Sequence, residues 1–182
     1  MNMTWTKLSS QTKFQNRFMR VTEDELVTDH GDKVVFGIVH KEPAVMIIPW
    51  DGAKFTLIAQ YRYAIDKISW EFPAGHMEHD NIIEAAKAEL AEEAGWIADS
   101  LLEIGEFAIA PGHNTQICHT YLATSLTPTS QNLEPSEKGM QIKQVSLAEI
   151  NQMILSHEIV DGLTLASLKI FELYLAKKHL KV

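Results

Sequence analysis

The chain has 182 residues, of which 46% are hydrophobic and 22% charged, and its formal net charge is −8. This length suits one substantial core with at most a small additional lobe, and the composition is typical of a globular protein. The negative charge argues against non-specific binding to nucleic acid, because such binding depends on cationic surface. An acidic protein that acts on an anionic substrate needs a metal ion or a local group of Arg and Lys side chains.

The cysteine content and the apolar runs indicate the cellular compartment that we expect for this protein. Cys118 is the single cysteine, so an internal disulfide framework is excluded. The first residues lack the apolar core of a signal peptide. Apolar runs also fall short of the roughly 18–20 residues that a membrane span requires. We therefore expect a cytoplasmic protein that does not bind membranes.

The N-terminal part predicts a small antiparallel sheet. Residues 1–16 are polar and show no clear period. Short strands are predicted at 18–21 and 25–28 with a turn at Glu23-Asp24, and a β-branched, apolar strand at 33–40. Connections this short are typical of a meander.

The next segment predicts buried strands. Residues 44–49 form a continuous apolar run, which indicates a strand buried on both faces. Asp51-Gly52 is a hairpin signal, so residues 55–61 are the expected partner strand, and 68–72 form another short strand. Arg62, between them, is either a surface charge or a phosphate contact, because its rigid fork matches phosphate oxygens.

The stretch from Trp70 to Trp96 is the most informative part of the sequence. The predicted strand ends at Pro73-Ala74-Gly75. A helix is predicted at about 82–94, and Gly95 ends it. The side of this helix that we expect to pack consists of Ile83, Ala86, Leu90 and Ala94.

Three glutamates lie on another side of the same helix. Glu89, Glu92 and Glu93 stand at i, i+3 and i+4, where like charges repel one another. Clusters of carboxylate oxygens suit hard divalent ions, Mg²⁺ foremost. The pattern predicts either a metal site or a solvated acidic face.

The chain then returns to strands. We predict strands at 101–110, with a bulge at Gly105, and at 116–123, joined by a tight loop at 111–114. His113 and His119 lack metal-site spacing with a third His or Cys, so structural or solvated roles are expected.

A polar loop at 124–139 contains Glu134 and Glu137 and is long enough to be functional. A last strand is predicted at 141–145. Ser146 and Glu149 have capping-box spacing at the start of a helix over about 147–156. A closing amphipathic helix is predicted at 164–179, with an apolar stripe of Leu165, Leu168, Phe171 and Leu175.

The stretch PAGHMEHDNIIEAAKAELAEEAGW resembles the Nudix box, usually written G-x5-E-x7-R-E-U-x-E-E-x-G-U with U bulky and apolar. The matching residues are Gly75, Glu89, Leu90, Glu92, Glu93, Gly95 and Trp96. The likeness extends to the ADP-ribose pyrophosphatase branch of the family. AQYRYAIDKISWEFPAG resembles its segment before the box, APGHNTQICHTYLA its loop after the box, and SHEIVDGLTLASLKIF its final helices.

This resemblance implies an α+β fold, an α/β/α sandwich around a mixed sheet. It further implies an N-terminal antiparallel lobe at 1–42 that contributes to a homodimer, and a Nudix domain at 43–182. The implied reaction is Mg²⁺-dependent hydrolysis of an ADP-ribose-like nucleoside diphosphate sugar at its diphosphate, with Mn²⁺ as another suitable ion. The products are a nucleoside monophosphate and a sugar phosphate.

The resemblance also implies roles for individual residues. Metal binding falls to Glu89, Glu92, Glu93 and the main-chain carbonyl of Ala74, and catalysis to Glu92 and Glu93. Arg62, Glu71 and Gly112 match positions near the substrate.

The sequence departs from the family pattern at several positions. The segment between Gly75 and the helix is one residue short, so the first box glutamate falls on Asp80 or Asn81, and the box arginine falls on Ala88. Gln116 stands where the branch often has a catalytic Glu, and an amide cannot take a proton from water at neutral pH.

Glu137 is therefore the remaining candidate for the general base, against the alternative of a solvated loop charge. The chain is either such a hydrolase, with activity that these departures impair, or a Nudix-fold protein that binds or senses nucleotide sugars with little or no turnover.

Overall fold

The computed structural model describes residues 4–76, 81–135 and 137–179. The strands in chain order are β1 (Thr6–Gln15), β2 (Arg20–Val27), β3 (Lys33–His40), β4 (Ala44–Pro49), β5 (Lys54–Arg62), β6 (Lys67–Glu71), β7 (Ala74–His76), β8 (Trp96–Ala108), β9 (Ile117–Pro128) and β10 (Gln141–Ser146). The helices are α1 (Ile82–Ala94), α2 (Leu147–Leu155) and α3 (Gly162–His179), and a short 3-10 helix spans Tyr63–Ile65.

Backbone contacts divide the chain into two compact units. The N-terminal unit consists of the chain up to Pro43 together with Ala108–Ile117. The C-terminal unit consists of Ala44–Phe107 and the chain from Cys118 onward.

The N-terminal unit contains an antiparallel sheet in the order β1-β2-β3. Strand β3 lies where the sequence predicted it, whereas β1 was missed. The predicted turn at Glu23-Asp24 was wrong, because β2 runs through it without interruption. Strand β2 is hard to recognise because the residues that it buries are polar. Thr22 and Asp24 are 1% and 6% exposed, and the Ser10 hydroxyl donates to Asp24 Oδ1 at 2.5 Å.

The segment 108–117 completes this unit through hydrogen bonds to the end of β3. Val39 donates its N–H to the His113 carbonyl at 2.7 Å, and Thr115 donates its N–H to the Val39 carbonyl at 3.0 Å. The Gln116 side-chain amide donates to the Glu42 carbonyl at 2.7 Å. Two distant stretches of the chain therefore build one unit.

The C-terminal unit contains a mixed sheet, β7-β4-β9-β8, and an antiparallel sheet, β10-β5-β6. Strand β4 is buried along its whole length, as its apolar run predicted, and pairs in parallel with β9. The turn after β4 is also confirmed, since the Asp51 carboxylate accepts the N–H groups of Ala53 and Lys54. The predicted pairing of the two flanking strands was wrong: β4 and β5 belong to different sheets.

Helices α1 and α3 cover opposite faces of the mixed sheet. Val45, Ile47 and Tyr121 pack with Ala86 and Leu90 of α1. Neighbouring residues of a strand point to opposite faces. The Thr120 hydroxyl accordingly meets the Ser167 hydroxyl of α3 at 3.1 Å. The expected α/β/α arrangement is confirmed.

The sequence predicted the ends of α1 correctly. Asn81 caps its first turn by accepting the N–H groups of Ile83 and Glu84, and Gly95 ends it with a φ of 67°. The expected packing of Ile83 was wrong, because this side chain is 43% exposed and Ile82 packs against the core instead.

The later elements mostly follow the sequence, with longer strands. Strand β8 starts at Trp96 and β9 continues to Pro128, so the loop that follows is shorter than predicted. The capping box of α2 is present in full, and Phe171 of α3 packs edge-on against Phe55. Among the helices that the structure describes, none is long and apolar enough to cross a membrane.

Candidate metal centre

Glu93 is a buried carboxylate at the C-terminal end of α1. It is 3% exposed, and its Oε2 accepts the N–H of Ala74 at 2.9 Å. Burial, with a further contribution from the Glu89 carboxylate, raises the pKa of Glu93 from 4.5 to about 8, against the opposing effect of the Ala74 hydrogen bond. The neighbouring Glu89 carboxylate therefore disfavours ionisation of Glu93.

Gly75, in β7, lies directly against the Glu89 side chain. A Cβ at this position would lie 1.7 Å from Glu89 Oε1, so the carboxylate occupies the space of any larger side chain. Ala74, Gly75, Glu89 and Glu93 thus meet at one place. Glu92, the remaining member of the predicted set, is partly exposed on the same helix.

The loop after β9 holds the C-terminal end of α1. Asn132 donates its N–H to the Glu92 carbonyl at 3.1 Å, and the Gln131 side chain donates to the Glu93 carbonyl at 2.5 Å. Thr129 donates its N–H to the Gly95 carbonyl at 2.8 Å. These contacts satisfy carbonyls that a helix end leaves without intrahelical partners. Sequence reasoning missed them, because no local pattern joins residues almost forty positions apart.

Glu137 follows in the same loop and is partly buried. Its Oε2 accepts the N–H of Glu134 at 2.8 Å, which fixes the side chain within the turn. Its negative charge also contributes to the raised pKa of Glu93. The loop therefore brings Glu137 within electrostatic range of the buried glutamate.

Arg62 and Glu71 form an ion pair across β5 and β6. Arg62 Nε lies 3.0 Å from both carboxylate oxygens of Glu71, and its Nη2 also contacts Oε2. The Glu71 side chain is 1% exposed and the Arg62 side chain 43% exposed. Burial raises the pKa of Glu71, and Arg62 acts in the opposite direction. Arg62 also lowers the pKa of Glu93, so the guanidinium belongs to the same electrostatic neighbourhood.

Gly112 and the residues that depart from the family pattern are divided between the two units. Gln116 is 3% exposed and its amide is engaged by Glu42, whereas Gly112 lies in the exposed turn between β8 and β9. Both belong to the N-terminal unit. Ala88 is exposed on α1, Asn81 caps that helix, and Asp80 lies outside the described residues.

A second group of ligand-type side chains lies on β8 and β9. One ligand atom each from Glu103, Glu106 and His119 lie within 4.8 Å of one another. His119 Nδ1 is 2.8 Å from Glu103 Oε1. This contact gives His119 a hydrogen-bond partner on the neighbouring strand, in line with the structural role expected for it.

Comparison with known proteins gives relatives along most of the chain. An ADP-ribose pyrophosphatase of Bacillus subtilis (strain 168) is 27% identical over 138 residues, which cover 75% of this chain and 75% of that protein. A methanol dehydrogenase activator of Bacillus methanolicus is 27% identical over 177 residues, covering 94% and 95%.

A crystal structure of an ADP compounds hydrolase shares the fold, with a TM-score of 0.83 and 22% identity over 96% of this chain and 95% of that one. The family model of the Nudix domain matches residues 40–165, from the end of β3 into α3. This match contains both the helix that carries the glutamates and the loop that holds its end, and the chain belongs to the Nudix family.

Proposed function

We propose that this protein is a divalent-metal-dependent hydrolase that cleaves an ADP-ribose-like nucleoside diphosphate sugar at its diphosphate. The observation that carries the proposal is the juxtaposition of Glu89 and Glu93 beside Gly75. A buried carboxylate with a pKa of about 8 is held against a second carboxylate, where a cation would stabilise both.

The available donors fit a hard divalent ion. Glu89, Glu92, Glu93 and the Ala74 carbonyl offer oxygen atoms alone, the donor type that Mg²⁺ and Mn²⁺ prefer. When bound, such an ion neutralises phosphate oxygens and lowers the pKa of water.

The remaining residues act on the substrate. Arg62 offers donors to the diphosphate, while Glu71 underneath fixes the orientation of the guanidinium. Glu137 takes the proton of the attacking water as its oxygen bonds to phosphorus and the phosphoanhydride bond breaks. A nucleoside monophosphate and a sugar phosphate are released. Gly112 is proposed to contact the substrate.

Two relatives support the substrate class, since the proteins of Bacillus subtilis and Mycobacterium tuberculosis are ADP-ribose pyrophosphatases. A third, from Escherichia coli, is an ADP compounds hydrolase.

The test is a panel of nucleoside diphosphate sugars incubated with the purified protein, with and without Mg²⁺ or Mn²⁺. We expect metal-dependent release of a nucleoside monophosphate and at least a ~100-fold lower rate for Glu93→Gln, because charge stabilisation is the main catalytic contribution in such transfers. Hydrolysis that persists in chelator, or no hydrolysis of any member of the panel, would contradict the proposal.

A second candidate function is binding or regulation without efficient turnover. It is favoured by Ala88 and Gln116 at two positions of the family pattern, and by the similarity to a methanol dehydrogenase activator along 94% of the chain. Tight binding of a nucleotide sugar that remains intact after long incubation would select this candidate. Multiple turnovers that Glu93→Gln abolishes would exclude it.

We further propose a cytoplasmic homodimer, with residues 1–42 as the dimerisation lobe and 43–182 as the Nudix domain. Exposed aromatic side chains of the N-terminal unit support this, among them Trp5, Phe14 and Phe18. Sedimentation equilibrium of the full chain measures the oligomeric state, and a monomer at micromolar concentration would exclude the dimer.

A further inference from the structure

We propose that Thr164 is a positioning residue for the candidate metal centre. Its hydroxyl holds the chain at the end of β6 and thereby fixes the place where the Ala74 backbone meets the Glu93 carboxylate. Thr164 lies in the first turn of α3, is 0% exposed and belongs to the same compact unit as the glutamates. The inference rests on the proposed function in one respect, because that function makes Ala74 and Glu93 metal ligands.

The link between β6 and β7 is held by three different elements. Phe72 donates its N–H to Thr164 Oγ1 of α3 at 3.2 Å. The Pro73 carbonyl accepts an N–H group of β4 at 2.9 Å. Ala74 donates its N–H to Glu93 Oε2 of α1 at 2.9 Å. Thr164 is therefore the contact that joins this link to α3, and the link carries the carbonyl proposed to bind the ion.

The direction of the Thr164 hydroxyl is fixed by Asp161, which directly precedes α3. The hydroxyl donates to Asp161 Oδ2 at 2.8 Å, and the same oxygen accepts the N–H of Thr164 at 2.7 Å. A carboxylate accepts but does not donate, so the hydroxyl proton points to Asp161 and a lone pair is left for the N–H of Phe72. Asp161 also caps the first turn of the helix. The acceptor offered to Phe72 therefore has a fixed position.

The chain before α3 follows the outer edge of β6, which is the last strand of the sheet β10-β5-β6. The Glu158 carbonyl accepts the N–H of Trp70 at 2.9 Å, and Val160 donates its N–H to Ser69 Oγ at 3.3 Å. Phe72, two positions after Trp70, points its N–H the same way and is 0% exposed. Without the hydroxyl, this N–H would be buried and unpaired, which costs free energy.

A shift at Phe72 reaches the metal centre through a stiff connection. Pro73 lies between Phe72 and Ala74, and its ring fixes φ at about −65°. Ala74 therefore follows a displacement of Phe72, and its hydrogen bond to Glu93 changes with it. Groups that orient metal ligands from behind typically contribute about 10- to 100-fold to the affinity for the ion. Loss of the Thr164 hydroxyl should accordingly loosen Ala74 without touching it.

The informative variant is Thr164→Val, which keeps the shape of the side chain and removes its hydroxyl. Thr164→Ser keeps the hydroxyl and is the conservative variant. The matched control is Thr120→Val, because the Thr120 hydroxyl is also 0% exposed and also joins a strand to α3, through the Ser167 hydroxyl at 3.1 Å. Both valine variants therefore remove one buried hydroxyl contact of the same helix.

The first measurement is hydrogen exchange of the Ala74 amide in chelator, at urea concentrations that give all variants the same global stability. We expect about tenfold faster exchange in Thr164→Val, because a lost buried hydrogen bond shifts a local opening equilibrium by about that factor. Thr164→Ser and Thr120→Val should stay within about twofold of wild type. Unchanged exchange in Thr164→Val, an equal rise in Thr120→Val or no rescue by Thr164→Ser would each overturn the proposal.

The second measurement is Mn²⁺ binding followed by electron paramagnetic resonance, in which Thr164→Val should bind about tenfold more weakly than Thr164→Ser. Equal affinity of these two variants would overturn the role of Thr164 at the metal centre. A wild-type protein that binds no Mn²⁺ would contradict the proposed function instead, and the exchange rates would still decide whether Thr164 positions Ala74.

A second variant keeps the proposal testable if Thr164→Val does not fold. Asp161→Ala leaves the Thr164 hydroxyl in place and removes the acceptor that orients it. Exchange at Ala74 should then be about threefold faster than in wild type, since the contact with Phe72 is weakened but not lost. An unchanged rate in Asp161→Ala would overturn the proposal.

Discussion

Two buried acidic side chains lie close to Arg62 but differ in what contacts them. Glu71 is met directly by the guanidinium, whereas Glu93 receives a backbone N–H from Ala74 and faces Glu89. A carboxylate buried among other acids prefers to be protonated, and it costs stability when it ionises. We therefore expect the stability of the protein to depend differently on these two residues when the pH is changed or when they are substituted.

Glu93 should make the metal-free protein less stable as the pH rises. Its pKa is raised from 4.5 to about 8 in the folded state, so the folded protein holds one more proton than the unfolded chain between these values. The contribution of Glu93 to the free energy of unfolding should be complete below about pH 4.5. It should fall as the pH rises and level off above about pH 8. Thermal unfolding in chelator compares the stability of Glu93→Gln with that of wild type at each pH. The stability of Glu93→Gln relative to wild type should be greater at pH 8 than at pH 5.

The control for this prediction is Glu92→Gln, which alters the adjacent, more exposed glutamate of the same helix. If the melting temperatures of Glu93→Gln and wild type change in parallel from pH 5 to pH 9, ionisation of Glu93 does not destabilise the folded protein.

The Arg62–Glu71 pair predicts non-additive substitutions. Arg62→Ala leaves a buried carboxylate without its cation and should cost about 2 kcal/mol, less than a fully buried pair because Arg62 is partly exposed. Adding Glu71→Gln removes that charge, so the double variant should be at least as stable as Arg62→Ala alone. Urea unfolding of the two single variants and the double variant gives the coupling free energy, and a value near zero would refute a direct energetic link.

At the scale of elements, strand β7 and helix α1 form the site together. Gly75→Ala places a methyl group where Glu89 Oε1 now lies, at 1.7 Å. The end of a glutamate side chain can move, so we expect a stability loss of no more than ~1 kcal/mol. We also expect at least ~10-fold weaker binding of Mn²⁺, because the carboxylate is displaced from the other ligands.

The matched control for Gly75→Ala is Gly37→Ala in β3, where nothing lies within 4 Å of the added methyl group. Mn²⁺ binding followed by electron paramagnetic resonance compares both variants with wild type. Unchanged affinity in Gly75→Ala would mean that Glu89 does not bind the ion.

The loop after β9 makes a separate prediction about the helix. Gln131→Ala removes the side-chain donor to the Glu93 carbonyl and should destabilise the protein by about 1 kcal/mol. Hydrogen exchange should rise in the last turn of α1 rather than across the whole helix. Unchanged exchange at Ala91 to Ala94 would show that the contact does not hold the helix end.

Some elements could be predicted from the sequence and others could not, for physical reasons. The C-terminal end of α1 was predictable because Gly95 is a local signal, and β4 because its apolar run is uninterrupted. Strand β1 was missed because all of its residues are exposed and it shows no apolar period. The middle of β2 was missed because its buried residues, Thr22 and Asp24, are polar.

The site itself was predictable in part. The spacing of Glu89 and Glu93 indicated a shared face, and the family pattern added Ala74 and Gly75. The contact of Arg62 with Glu71 and the contact of Gln131 with α1 depend on tertiary structure, so no pattern in the sequence could indicate them.

For the whole molecule, metal binding should raise the free energy of unfolding. A ligand that binds the folded state alone stabilises it by about 2.7 kcal/mol at a hundred times its dissociation constant. For a chain of this size we expect Mg²⁺ to raise the melting temperature by roughly 5–10 °C. Glu89→Gln and Glu93→Gln should abolish this shift, and an equal shift with Na⁺ at matched ionic strength would attribute it to screening instead.

The hydrogen bonds between β3 and segment 108–117 bear on how this protein can be shortened or recombined. Val39 and Glu42 supply backbone groups that bond to His113, Thr115 and Gln116, and Gln116 lies 74 positions after Glu42 in the chain. Proteolysis or genetic deletion ahead of Ala44 would leave those three residues with stranded donors and acceptors. The N-terminal strands and the β8–β9 connection therefore depend on each other: a protein that loses one of them in evolution must also change the other.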